Sequence, residues 1–321
     1  MPDSIEDALE LETLDGDTLF RSVRLWKPLT GRGVFGGQTL ALSTWAATRS
    51  VSPELKLHSL HSYFLNFGDS SIPIVFHVDK IRDGRSYATR TVKAVQRGVA
   101  IFSLTASFQR PEPDQPRFAI PLPAPPSAFG AASWPPPEEC TPQEESMQAE
   151  LDERTDMPAK LREYLQRAMD ERRASSIEIR SAKPGGSSVR DMFASREPQS
   201  EQAFWLRARS KSRDDPAFHK CVLAYASDMQ FIGTGAKALG LSSRSKPKLA
   251  MMASLDHSMW FYSDVDSSQW HLYHMRCVRA SSGRAIVHGE LWTRDGRLVV
   301  VCSQEGVVRA QAARPTTAAK L

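Results

Sequence analysis

Two segments of this sequence are apolar nearly all round, and each lies beside a run of strand-like segments. Thr39 to Thr48 is rich in Ala and Leu, and Lys220 to Leu239 is a longer stretch of the same kind. A helix without a polar stripe has to be covered on every side. No run of eighteen apolar residues occurs in the 321, so no membrane span is expected and the cover must be protein.

The flanking segments supply that cover. Leu19 to Trp26 is the first expected strand, closed at Lys27-Pro28 because proline brings no N–H to a ladder. Gly31-Arg32-Gly33-Val34-Phe35-Gly36-Gly37-Gln38 leads into the first helix. Its four glycines mark a backbone that turns tightly or lets another group come close. Close helix–sheet packing and an anion- or carbonyl-binding helix start are both open. Leu57 to Leu65, Ile72 to Ile81, Ser86 to Val95 and Val99 to Gln109 follow as strands, with hairpin turns at Asp83-Gly84 and Arg97-Gly98.

After residue 175 the order returns. Ile177 to Ile179 and Phe204 to Ala208 precede the second helix; Leu249 to Tyr262, Trp270 to Arg279, Arg284 to Trp292 and Leu298 to Val308 come after it. His61-Ser62-Tyr63-Phe64 and His257-Ser258-Met259-Trp260 echo each other at an offset of 196, which also carries Phe108 onto Gln304. The pattern predicts an α+β chain in which a curved antiparallel sheet wraps a central helix twice over, the double hotdog arrangement. The expected repeats are 1–110 and 176–310. Between them, 111–175 holds a proline-rich linker and a charged connector helix from Pro158 to Ala174; 311–321 is a tail.

A net charge of +4, dispersed along the chain, gives no basis for a nucleic-acid partner. Met1 to Asp17 is acidic and lacks the apolar core of a signal peptide. Cys140, Cys221, Cys277 and Cys302 form no C-x-x-C pair and are expected as buried free thiols. Neither G-x-S-x-G nor a phosphate-binding glycine motif occurs. His58 and His61, like His271 and His274, are three apart, which on a strand puts each pair on opposite faces; no metal is expected.

Three polar residues stand on otherwise apolar elements. Asp228 lies within Val222 to Ile232, where an unpartnered carboxylate is expensive to bury and its pKa should rise. It is either a general base or a structural aspartate. Ser254 shares a strand face with Asp256 and Ser258, so His257 is expected to point away from it as a core or interface histidine with a bonded ring nitrogen. Gln304 follows Val299-Val300-Val301-Cys302-Ser303 and offers both a donor and an acceptor, to a water or to solvent.

The sequence resembles the type II acyl-CoA thioesterases, which are double hotdog proteins. The resemblance rests on Val34-Phe35-Gly36-Gly37-Gln38, His58 to Phe64, Gly68-Asp69, Ala106 to Gln109, Tyr225-Ala226-Ser227-Asp228, Asp256 to Phe261 and Gln304-Glu305-Gly306. It implies hydrolysis of acyl-CoA to fatty acid and CoA, without metal or organic cofactor. It also implies a catalytic trio of Asp228, Ser254 and Gln304 about one water that attacks the thioester directly. Asn66 stands where relatives often carry an arginine, and Ser254 where threonine is commoner. The last three residues, Ala319-Lys320-Leu321, are similar to the Ser-Lys-Leu address, which implies a peroxisomal import receptor as partner and a peroxisomal matrix location, the cytoplasm being the alternative. A homo-oligomer is expected. Two rival functions remain: a hotdog-type enoyl-CoA hydratase and a non-catalytic acyl-CoA-binding protein. The hydratase pattern wants a histidine five residues after the aspartate, and Gly233 stands there.

Overall fold

A computed structural model describes residues 2, 4–154, 156–183, 198–242 and 245–311. Ala319, Lys320 and Leu321 lie outside the described residues. The first half runs α1 (Ile5–Ala8), β1 (Leu11–Asp15), β2 (Leu19–Ser22), α2 (Gly36–Arg49), β3 (Lys56–Phe64), β4 (Val75–Asp83), β5 (Tyr87–Gln96) and β6 (Val99–Gln109). Two connector helices follow, α3 (Gln143–Glu153) and α4 (Ala159–Arg173), where one was expected. The second half runs β7 (Ile177–Ser181), β8 (Glu201–Ala208), α5 (Pro216–Ser227), α6 (Phe231–Ala238), β9 (Leu249–Ser254), β10 (Asp256–Phe261), β11 (His271–Ser281), β12 (Arg284–Thr293) and β13 (Leu298–Ala310).

Among the described residues the strands form one antiparallel sheet in the order β1-β2-β4-β5-β6-β3-β10-β13-β12-β11-β8-β7, with β9 also paired to β13. This is the α+β double hotdog fold. β3 and β10 are the seam, so the two sheets meet edge to edge and neither leaves its inner edge strand unpaired. The helices lie together on one side: α2 against β2 to β6, α6 against β8, β9 and β11 to β13, and α5 along α2. One apolar core runs through both halves.

Three expectations need correcting. The long second helix is broken. Asp228 ends α5, and Gln230 takes up the left-handed region at φ 64° before α6 begins. The break gives α5 to the partner helix and α6 to its own sheet, which one straight helix could not do. The strand expected from Leu249 to Tyr262 is likewise interrupted, at Leu255. The His-Ser echo is not a structural correspondence. Ser62 pairs with His257 and both face inward, while His61 pairs with Ser258 on the outer face, so His61 is exposed and His257 fully buried. A two-fold axis normal to a sheet must carry inward positions onto inward ones, so across this register the offset has to be odd.

The proline-rich segment runs over the surface as expected but is only half free. Residues up to Ile120 are exposed, with Phe118 91% accessible. Beyond them Leu122, Phe129, Trp134 and Cys140 pack on Trp205, Leu272 and Trp292, covering the outer face of the second sheet. Trp205 Nε1 donates to the carbonyl of Pro135 (2.8 Å) and Trp134 Nε1 to that of Pro123 (2.7 Å). The segment thus provides a hydrogen-bonding partner for Trp205 and Trp134, while the buried Trp292 Nε1 of the same cluster has none. All four cysteines are free; Cys140, Cys221 and Cys302 are buried and Cys277 half-buried.

Candidate active site

The break between α5 and α6 places a carboxylate at the amino end of α2. Phe35, the N-cap, gives that end no side-chain bond of its own. The first-turn N–H groups have no carbonyl four residues back. The close approach is made possible by two glycines. A Cβ on Gly37 would sit 2.4 Å from the backbone oxygen of Tyr225 on α5, and one on Gly36 would sit 2.7 Å from Asp228 Oδ2 and 2.9 Å from the Phe64 ring. The expected helix–sheet packing is at Gly37 a helix–helix contact, α2 on α5, and Gly36 clears space beside Asp228 and the Phe64 ring.

Burial pushes the Asp228 carboxyl up to about 6, against the smaller opposing effects of hydrogen bonds from the Gln304 side chain, the Gly37 backbone N–H and the Ser254 hydroxyl. Gln304 Nε2 donates to Asp228 Oδ1 at 2.8 Å. Asp228, Ser254, Gly36 and Phe64 are half-buried, whereas Gln304 and His257 are fully buried. Asp228 and Ser254 thus lie nearer the surface than Gln304 and His257, which are enclosed behind them. Asp228, Ser254 and Gln304, which reach this point from three different elements, all converge on this carboxylate.

His257 departs from expectation. Because the strand breaks at Leu255, His257 is not carried away from the Ser254 side of the site; its ring turns inward to Gln304. Gln304 Nε2 lies 3.0 Å from His257 Nδ1, and His257 Nε2 lies 3.0 Å from Ser227 Oγ. Burial drives the imidazole down to about 3, so it is neutral. Phe231 packs on its ring at 5.4 Å, and Tyr273 donates its hydroxyl to the Ser227 carbonyl at 2.8 Å. The core-histidine reading gives the bonded nitrogens but not the identity of the partner. Ser227 and the Gly37 N–H are further site groups with no sequence signal apart from their place in the quoted motifs.

Asn66 is exposed and donates to the Ala100 carbonyl at 3.2 Å. The adjacent Phe67 lies 5.7 Å from the Arg32 guanidinium, so a cation from the glycine-rich loop stands next to this strand end. Among the described residues no group of three or more His, Cys, Asp or Glu is placed to hold a metal.

Comparison with known proteins gives a consistent result. Residues 137–308 match the family model described as acyl-CoA thioesterase C-terminal domain, and residues 23–109 the acyl-CoA thioesterase N-terminal domain. Acyl-coenzyme A thioesterase 8 of Mus musculus is 40% identical over 308 residues, spanning 95% of this chain and 88% of the relative. The peroxisomal acyl-coenzyme A thioester hydrolase 1 of Saccharomyces cerevisiae is 25% identical over 342 residues, spanning 95% and 94%. The crystal structure of acyl-CoA thioesterase II TesB2 from Mycobacterium marinum superposes with a TM-score of 0.69 at 33% identity, covering 96% of this chain and 99% of that one.

Proposed function

The chain belongs to the acyl-CoA thioesterase family, and from that membership we infer that it hydrolyses acyl-CoA thioesters with Asp228, Ser254 and Gln304 arranged about one attacking water. The observation that carries this reading is a carboxylate raised to about 6 that accepts from Gln304 Nε2 at 2.8 Å and from the Gly37 backbone N–H at the amino end of α2. A general base works best with a pKa near the working pH.

The chemistry follows from these groups. Asp228 takes one proton from the water as its oxygen bonds to the thioester carbon. The positive amino end of the α2 dipole favours the carbonyl oxygen as it gains charge. The carbon–sulfur bond then breaks, and the CoA sulfur leaves with the proton held by Asp228. The products are a fatty acid and CoA, and no acyl-enzyme is formed. The tandem repeats, 1–110 and 176–310, are one functional unit in this reading: α2 comes from one and the trio from the other. A hydratase assignment is disfavoured because His257 has both ring nitrogens engaged inside the protein and Gly233 occupies the position of that family's histidine.

Asp228→Asn keeps the shape and removes the base. Release of free thiol from a panel of acyl-CoAs should fall by about 10²–10⁴ while the protein stays folded. Near-normal release by the folded variant would return Asp228 to a structural role.

The compartment is read as the peroxisomal matrix, supported by the terminal tripeptide and by the yeast relative's name. An N-terminally fluorescent version should enter peroxisomes, and blocking the carboxyl end of Leu321 with a short tag should leave it in the cytosol. Import of the blocked protein would refute the address. Assembly as a homo-oligomer belongs to the same reading, and light scattering of the purified protein measures it.

A further inference from the structure

Behind Asp228 runs a chain of hydrogen bonds whose two ends can only accept. At one end is the helix carbonyl of Ala224; at the other is the Asp228 carboxylate. Ser227 Oγ lies 2.9 Å from the Ala224 oxygen and 3.4 Å from the Met259 sulfur, and neither has a proton to give. The Ser227 hydroxyl must therefore donate there, which leaves its oxygen to accept from His257 Nε2 at 3.0 Å. With its proton on Nε2, the neutral imidazole can only accept at Nδ1, where Gln304 Nε2 stands at 3.0 Å. The second proton of the same amide goes to Asp228 Oδ1 at 2.8 Å. Both donors of Gln304 are now used. Its carbonyl oxygen, Oε1, is fully buried and has no partner in the protein. A buried acceptor left without a donor carries a penalty of about 1–3 kcal/mol.

We propose that His257, with Ser227 behind it, is a positioning residue that fixes the amide of Gln304 so that its Nε2, and not its oxygen, meets the Asp228 carboxylate. This rests on the reading of Asp228 and Gln304 as the hydrolytic site. Held this way, the amide keeps one hydrogen on Asp228 Oδ1 and the other on His257 Nδ1, and the carboxylate keeps its remaining lone pairs for the attacking water. Turning the amide over would set its oxygen against the carboxylate of Asp228. The opposite imidazole tautomer would ask for that turn, and the Ala224 carbonyl, through Ser227, excludes it.

Ring packing supports a fixed part over a mobile one. Phe231 lies 5.4 Å from the His257 ring and 5.5 Å from Tyr273. A Cβ at Gly289 would come within 2.9 Å of both the Phe231 ring and the Tyr273 hydroxyl, so the glycine leaves the room these rings fill. The titratable groups around the carboxylate are His257 and Tyr273, with Cys302 behind the tyrosine. Burial holds the histidine down to about 3, the tyrosine well above its ordinary range and the cysteine at about 12. Among the described residues of this cluster, Asp228 is the group that changes charge near neutrality, so the acid limb of the rate profile reports on it.

The test is a double-variant cycle read by thiol release, with ring nitrogen NMR beside it. His257→Ala should lower kcat by about 10- to 100-fold, the worth of one hydrogen bond to a charged or reacting group, with KM little changed. Its acid limb should move to higher pH, because the Gln304 donor that holds the Asp228 carboxyl down is no longer fixed. Adding His257→Ala to Gln304→Ala should cost nothing further. In protein labelled with ¹⁵N-histidine, His257 should carry its proton on Nε2 across the active pH range. If His257→Ala does not fold, Ser227→Ala keeps the ring and runs the same cycle. Losses that multiply, an acid limb that stays in place, or a proton on Nδ1 would each overturn the proposal while leaving the hydrolytic reading intact. Full activity of Gln304→Ala would end both.

Discussion

Asp228 governs how this protein answers to pH, and it does so twice with opposite sign. As a base it must be ionised, so kcat/KM should rise with pH through about 6 and level off above it. Stability moves the other way. The folded carboxyl lies above its ordinary value near 3.8, so the unfolded chain releases this proton first. The folded form therefore loses stability from about pH 4 to about pH 6 and keeps that loss at higher pH. Asp228→Asn should be more stable than the parent above about pH 6, by on the order of 1–3 kcal/mol, and should gain nothing from this source below about pH 4. Urea unfolding at several pH values measures the difference, and a gain that does not depend on pH would contradict it. The raised pKa is legible in the sequence, because Val222 to Ile232 gives a carboxylate nowhere wet to go. The part played by His257 is not. Strand alternation carries it away from the Ser254 side, and only the interruption at Leu255, which no local residue announces, brings it round to Gln304.

The elements that hold this residue were read correctly as pieces and incorrectly as wholes. Apolar periodicity finds α2 to within a few residues and finds the α5–α6 stretch as helix, but it is blind to the break at Asp228–Gln230, since both pieces are apolar all round. That break arises from tertiary demand: α5 must meet α2 while α6 must meet its sheet. The glycines at the start of α2 carry the same information in another form, and they separate in a test. Gly37→Ala would set a Cβ 2.4 Å from the Tyr225 backbone oxygen, which can retreat only if the helices part. It should destabilise by about 1–3 kcal/mol, as overpacking does. Gly36→Ala meets the ends of two side chains, Asp228 and Phe64, which can swing aside. It should keep most of the stability and lose most of the activity, because the group displaced is the base. Thermal unfolding beside thiol release separates the two, and equal stability losses would refute the distinction.

At the scale of the molecule, the tandem repeat was legible from the doubled order of elements, whereas the docking of the linker was not. Proline spacing says that a segment is extended; it does not say that Leu122, Phe129 and Trp134 will find two tryptophans on the back of a sheet. The free and the bound parts of that segment should differ toward protease. Among the described residues, trypsin should cut first at Arg117, which is exposed beside the 91% accessible Phe118, and spare Arg180, whose guanidinium is anchored to Glu178 and the carbonyl of Pro137. The nicked protein should nevertheless behave as one particle. The β3–β10 ladder crosses the cut, as do the Ser62 hydroxyl bond to the His257 carbonyl at 2.8 Å and the bond from Lys220 Nζ to the Leu57 carbonyl at 3.1 Å. The proposed hydrolytic site spans the pieces too, since α2 lies before the nick and Asp228, Ser254 and Gln304 after it. The two pieces should therefore elute together on gel filtration and still release thiol, and only denaturant should part them. Fragments that separate in native buffer, or activity recovered in the C-terminal piece alone, would show that the first repeat is not needed to build the site.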